Sequence, residues 1–311
     1  MAKIKVKFPD GNVKEFARLT TVKEVAASIS NSLAKKAVGA KYAGQLVSLN
    51  HQLASDGTIE VITKDDPEAL PFLWQTGAVV LGAALKKLYP EMNFGKSSAT
   101  EHGFYLDTDN QSGQVAETDF EKIAKEIQNL VKKALPLEEV VFAEAEALKL
   151  VGNDPYRQEL IKEKAADQKV SAVKLGDYVD FSVKAVLPNT SALKFFKVLS
   201  VAGAYWKGAS SNPMLQRVYG TVFFKQADLE AELARRKEAR ERDHRVIGNE
   251  LDLFFVDPKV GAGLPYWMPK GATIRRTIER YIIDREVADG YQHVYTPVLA
   301  NIDLYKQSGH W

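Results

Sequence analysis

The chain has 311 residues, 45% of them hydrophobic, 10% aromatic and 26% charged, which suits two or three globular domains with buried cores. Its 42 basic and 40 acidic residues leave a net charge of +2, so any nucleic-acid contact must come from local clustering rather than bulk charge. There is no cysteine, which excludes a disulfide scaffold and thiolate metal sites and fits a reducing compartment.

The N-terminus, MAKIKVKFPDG, alternates charged and apolar residues and does not read as a signal peptide. Apolar runs such as Ala78 to Leu81 are too short to span a bilayer, so a soluble, cytoplasmic chain with no membrane partner is expected. Residues 1–63 read as one small module. Ile4, Val6 and Phe8 fall on one face of a strand, Pro9-Asp10-Gly11 is a turn, and Val13 and Phe16 suit a returning strand. Thr21 and Glu24 have capping-box spacing before a helix that places Val22, Ala26, Ile29 and Leu33 together. Gln45 to Leu49 and Thr58 to Ile62 read as two further strands, completing a β-grasp-like unit.

Residues 64–67 read as a linker, and residues 68–225 as an α+β domain. The Leu73, Thr76, Val80, Ala84 and Leu88 spacing predicts a helix over 72–88. Phe120, Ile123, Ile127, Leu130 and Val131 predict another, ended by Pro136. Tyr178 to Val186 and Leu193 to Val201 read as strands. Residues 226–250 read as one charged linker helix, with Glu232/Arg236, Glu238/Arg242 and Glu241/Arg245 spaced for self-pairing. Residues 251–311 begin a further domain. A helix there gathers Ile274, Ile278, Tyr281 and Ile282, Gly290 suits its C-cap, and Tyr291 to Leu299 reads as a strand with Pro297 near its end.

The block Leu199 to Thr221, LSVAGAYWKGASSNPMLQRVYGT, is too particular for composition to explain. It closely resembles the run that closes the second N-terminal domain of threonyl-tRNA synthetases. The β-grasp unit is similar to the TGS domain of that family, and the helix, strand and proline after RDHRVIGNELDLFF resemble motif 1 of class II aminoacyl-tRNA synthetases. The resemblance covers the chain in order. It implies an α+β protein with a TGS module at 1–63, an editing-type domain at 68–225, a linker helix at 226–250, and the start of a class II antiparallel-sheet catalytic domain at 251–311. It places Ile278, Tyr281, Ile282 and Pro297 in a homodimer interface.

Members of that family edit mischarged tRNA with an HxxxH pair and a Cys-x-x-x-His pair. Alignment on LKKLYP puts the first pair at Gln75 and Val79, and the second falls on Ser182 and Val186. A family lysine becomes Arg157, a Gly-Pro pair becomes Ser97-Ser98, and Asp180 remains, expected as a structural acceptor. Valine cannot ionise or hydrogen-bond through its side chain, and Gln and Ser do not titrate near pH 7. A complete catalytic set is therefore not expected, and a free-standing deacylase is disfavoured.

His51, His102, His244, His293 and His310 are far apart in sequence, so no local metal motif is read. Gly203 and Gly208 have P-loop spacing but Ala209 replaces the lysine, and Glu101-His102 reads as a surface ion pair. The family's motifs 2 and 3 and zinc ligands lie beyond residues like Ser308-Gly309-His310-Trp311, with His310 not among the ligands. The chain is thus read as an N-terminal fragment. ATP with Mg and a zinc ion belong to the longer parent, and no cofactor is expected here. The parent would be a threonine–tRNA ligase contacting the tRNA acceptor arm, not DNA. The alternative is a truncated, non-catalytic paralogue that binds tRNA or a protein.

Overall fold

A computed structural model describes residues 2–109, 113–261 and 263–309. They form two compact units, 1–232 and 233–311.

The first unit opens with β1 (Lys3–Lys7) and β2 (Val13–Ala17), an antiparallel hairpin. Next come α1 (Val22–Ile29), α2 (Asn31–Lys36), β3 (Ala37–Tyr42), β4 (Gln45–Ser48) and β5 (Gly57–Thr63). The sheet order is β2-β1-β5-β3-β4, with β1 and β5 parallel. Ile4, Val6, Phe8, Val22, Val25, Ala26, Leu53 and Ile59 fill the space between sheet and helix. The capping box is present: Glu24 accepts the Thr21 N–H at 2.7 Å, and the Thr21 hydroxyl accepts the Glu24 N–H at 3.3 Å. The single helix expected over Val22 to Leu33 is broken, because Ser30 turns extended and its Oγ caps a second helix through the Leu33 N–H at 3.0 Å.

A short 3₁₀ turn, Pro67–Ala69, leads into α3 (Leu70–Leu88). The helical stretch 67–88 has a mean hydropathy of 1.3, length and composition enough to cross a membrane, contrary to the reading of short apolar runs. However, 72% of its apolar window is buried inside the protein. The chain then runs through β6 (Asn93–Thr100), β7 (Gly103–Asp109), α4 (Phe120–Lys132), β8 (Glu138–Ala143), α5 (Glu144–Val151), α6 (Pro155–Lys164), β9 (Lys169–Leu175) and β10 (Tyr178–Asp180). The expected strand over Tyr178 to Val186 stops at Asp180, whose carboxylate takes up the following main-chain N–H groups. β11 (Phe195–Tyr205) and β12 (Met214–Phe223) form a long hairpin around the Leu199–Thr221 block. The antiparallel sheets are β11-β12-β7-β6 and β10-β9-β8.

The core centres on α3, whose Phe72, Leu73, Ala78, Val79, Val80, Leu81, Ala84 and Leu85 are all at most 1% exposed. Val38 and Ile62 of the β-grasp sheet belong to the same core. Three glycines permit this packing. A Cβ on Gly39 would lie 2.2 Å from the Phe72 ring, one on Gly77 2.5 Å from Phe104, and one on Gly82 2.2 Å from Tyr178.

The helix α7 (Gln226–Glu241) leads from the first unit into the second. The single linker helix expected over 226–250 is interrupted here. Asp243 leaves helical geometry and caps α8 (His244–Glu250). Glu238 pairs with Arg242 at 2.7 Å, but Arg245 turns to Asp243 at 2.7 Å instead of Glu241. In the second unit β13 (Phe254–Val256) pairs with β14 (Pro265–Trp267), followed by α9 (Pro269–Ala288) and α10 (Ile302–Gln307). Gly290 (φ +91°) ends α9 in a Schellman turn, with Gly290 N–H to the Val287 carbonyl and Tyr291 N–H to the Glu286 carbonyl. The strand expected over Tyr291 to Leu299 is not regular, since no described strand pairs with it.

Replacing Gly82 with alanine forces a methyl into the Tyr178 ring and should destabilise the first unit by about 1–3 kcal/mol despite alanine's better helix propensity. Chemical denaturation of Gly82→Ala checks this; unchanged stability would refute the packing argument.

Candidate functional site

The candidate site is built from one face of α3, the loop after β10, and the middle of β6. Gln75 and Val79 lie one helical turn apart on α3. The Gln75 Oε1 accepts the Lys184 N–H at 2.8 Å, and Thr76 beside it accepts the Leu187 N–H at 2.8 Å. Both side chains thus serve as main-chain acceptors that hold the 181–187 loop against the helix. Val79 is fully buried in the core.

Asp180 anchors the start of that loop. It is 3% exposed, and its carboxylate accepts the Ser97 hydroxyl at 2.7 Å, the Tyr178 hydroxyl at 3.3 Å, and the Ser182 and Val183 N–H groups at 2.6 and 3.1 Å. Four donors leave little capacity for activating a water. Burial, then the Asp180 charge, push the Tyr178 phenol well above its ordinary range, so it stays a neutral donor. Ser182 is held through its main chain, its carbonyl facing the Lys164 ammonium at 3.4 Å.

Val186 is 2% exposed, and its N–H donates to the Ser48 hydroxyl at 2.8 Å. Ser48 in turn donates to the Glu139 carboxylate, so the β-grasp sheet reaches the end of this loop directly. The gap bounded by Ser48, Leu137, Glu139 and Val186 holds about 10 Å³, room for about one water.

Arg157, on the first turn of α6, stands apart from the other five positions. Its guanidinium lies 4.7 Å from the ring centres of both Phe94 and Tyr178, one Nη2 is buried without a hydrogen-bond partner, and Asp154 is 3.7 Å away. Asp154 caps α6 and accepts the Phe94 N–H at 2.8 Å; burial raises its carboxyl above the usual carboxylate range. These groups line an open cleft of about 310 Å³ with Lys86, Asn93, Asn153 and Asp177. Arg157 reaches the Asp180 cluster only through Tyr178.

The Leu199–Thr221 block resolves into packing and turn chemistry. Arg217 forms a two-pronged ion pair with Asp107, 2.6 and 2.9 Å, and stacks 3.9 Å over Tyr105. The Trp206 indole donates to Glu159 at 2.7 Å, and Lys207 and Gly208 turn through positive φ. The His102 Nε2 lies 3.7 Å from the Glu101 carboxylate.

In the second unit Ile278, Tyr281 and Ile282 are exposed on α9, and Pro297 is exposed in the segment after it. His310 lies outside the described residues. Among the described residues no three histidine, aspartate or glutamate side chains are grouped to hold a metal ion, so the donor set offers no place for a zinc. Sequence reasoning missed Ser48, Thr76 and Lys164, which complete the hydrogen bonding around the loop. Lys164 left only the weak signal of a base in the last turn of a helix.

The family described as TGS domain matches residues 4–63. Curated relatives are similar over the whole chain. The threonine–tRNA ligase of Ligilactobacillus salivarius is 64% identical over all of this chain and 48% of its own length. That of Levilactobacillus brevis is 60% identical over all of this chain and 48% of its own, and that of Lacticaseibacillus paracasei 58% over 98% and 46%. The chain spans about half the length of the curated relatives it matches.

Asp180→Ala leaves four donors without their acceptor and should cost on the order of 3 kcal/mol, whereas Ser182→Ala should stay within about 0.5 kcal/mol. Urea titrations of both variants test this; similar losses would contradict the assignment of Asp180 as the loop's anchor.

Proposed function

We propose that this chain is the N-terminal part of a threonine–tRNA ligase whose second domain keeps an editing-type fold without the groups that hydrolyse mischarged tRNA. Similarity to threonine–tRNA ligases along the entire chain supports the ligase assignment. The observation that carries the loss of editing is the use made of Gln75, Val79, Ser182 and Val186: two are core apolar residues, and two are bonded into the loop.

Hydrolysis of an aminoacyl ester needs a base that removes a proton from water and an acid that protonates the leaving ribose oxygen, both with pKa values near neutrality. Valine offers neither. Glutamine and serine hold a hydrogen bond but exchange no proton at pH 7. Asp180 is ionisable, yet its oxygens already accept four donors. The domain thus offers a closed scaffold, not an acid–base pair.

In this reading the longer ligase joins threonine to tRNA with ATP, and the first unit contributes contacts to the acceptor arm. Ile278, Tyr281, Ile282 and Pro297 then contribute to a dimer interface, an arrangement supported by the exposed apolar face of α9. ATP with Mg and a zinc ion belong, in this reading, to the longer ligase.

The purified chain should release serine from Ser-tRNA no faster than the spontaneous rate. The quadruple variant Gln75→His, Val79→His, Ser182→Cys, Val186→His should revive release if only the reactive groups are missing. Release by the unaltered chain well above background would reject the reading. For the ligase assignment, the coding sequence following Trp311 should continue into an Arg-containing motif 2 with a cysteine and two histidines; a stop codon there would reject it.

A further inference from the structure

Every sheet of the first unit ends in strands with one side unpaired, and most of these edges are guarded against pairing with another chain. β6 and β11 carry register shifts, β4 and β10 have only four and three residues, and β2 holds a Lys3–Glu15 ion pair at its centre. β8 is the exception. It is the outer strand of β10-β9-β8, and its six residues, EEVVFA, run against β9 without a register shift. The centre of the strand, Val140-Val141-Phe142, carries no charge and no proline.

The Glu144 N–H donates to the Gln168 carbonyl at 2.8 Å, which sets the phase of the ladder. Glu138, Val140 and Phe142 therefore bond to β9, while Glu139, Val141 and Ala143 turn their N–H and C=O groups outward. Among the described residues no partner meets those outward groups. Val141 is 64% exposed. Val140 and Phe142, on the other face of the strand, pack against Ile161, Val179 and Phe181 and are only half-buried. A further strand laid along this edge would gain main-chain hydrogen bonds and cover that remaining apolar surface.

Charge selects the occupant. Glu138 and Glu139 stand at one end of the strand, and Glu144 and Glu146 follow at the other. Glu139 accepts the Ser48 hydroxyl, but among the described residues Glu138, Glu144 and Glu146 have no ion-pair partner. β9 sets Lys174 opposite Glu138 and Lys169 opposite Ala143, which leaves the edge acidic. A second copy paired antiparallel about Val141 would place Glu138 against Glu144, acid facing acid. We propose that the β8 edge binds an extended segment of another protein whose residues alternate apolar and basic. The apolar residues lie beside Val140 and Phe142, and the basic ones fall on the face of Glu139 and Val141. This partner site is independent of the ligase reading above.

The test is titration of the whole chain with a fluorescent, end-capped peptide alternating lysine and valine over about eight residues. Binding should slow amide hydrogen exchange at Glu139, Val141 and Ala143 about tenfold or more. Val141→Pro removes the central outward N–H, leaves the bonds to β9 in place, and should weaken binding about tenfold. Glu138→Gln/Glu144→Gln should weaken it about threefold at low salt, the difference closing as salt rises. Urea titrations confirm that each variant is folded; if Val141→Pro is not, the exchange data and the glutamine pair decide. No binding by the parent chain, unchanged exchange at the three amides, or equal binding of a glutamate–valine peptide would overturn the proposal. So would sedimentation showing the chain dimerising through an interface that Val141→Pro abolishes, which would assign the edge to a second copy. A stop codon after Trp311 would reject the ligase assignment and leave these results standing.

Discussion

The first unit depends on how closely its surroundings approach α3. A 19-residue helix buried on most sides has no polar face to orient it, so its place is set by shape. Gly77 admits Phe104 from the four-stranded sheet, Gly82 admits Tyr178 from the three-stranded one, and Gly39 of the β-grasp sheet admits Phe72 of the helix. Each contact comes from a different sheet, and together they fix three layers on one cylinder. Glycine in a helix interior is unfavourable by about 1 kcal/mol against alanine, a cost offset by burying two aromatic rings.

That packing explains why the fold asks for no ionisable group at Val79 or Val186. Val79 lies inside the same apolar surface that holds Phe104, and Val186 lies at the seam where β-grasp and second-domain residues meet. A histidine at either point would need a partner or water for its ring nitrogens. Valine needs neither. The loop's polar demands are met instead by Asp180, Gln75, Thr76 and Ser48, each accepting main-chain N–H groups.

Much of this was legible in the residues. The Leu73 to Leu88 spacing, the Thr21–Glu24 box and Gly290 at the end of α9 are local signals, and each has its expected local structure. What could not be read was decided by competition between near-equal local options or by distant partners. Ser30 sits inside the Val22 to Leu33 apolar period, yet its hydroxyl caps a second helix at Leu33. Asp243 captures Arg245 because the helix breaks before Glu241 can reach it. The small residues of β3 gave no strand signal, and its place depends on β4 and β5 either side. At the site, Gln75, Val79, Ser182 and Val186 were singled out only by likeness to a family, while Ser48 and Lys164 emerged only from long-range contacts.

Ser48 carries a consequence for inheritance. It is the last residue of β4, yet its hydroxyl closes a loop 138 residues later, while also donating to Glu139. A β-grasp module acquired by recombination would bring its own residue to this point, and only a small hydroxyl serves both neighbours. The two modules should therefore be exchanged between lineages as a pair, and breakpoints that separate them should be rare in gene genealogies.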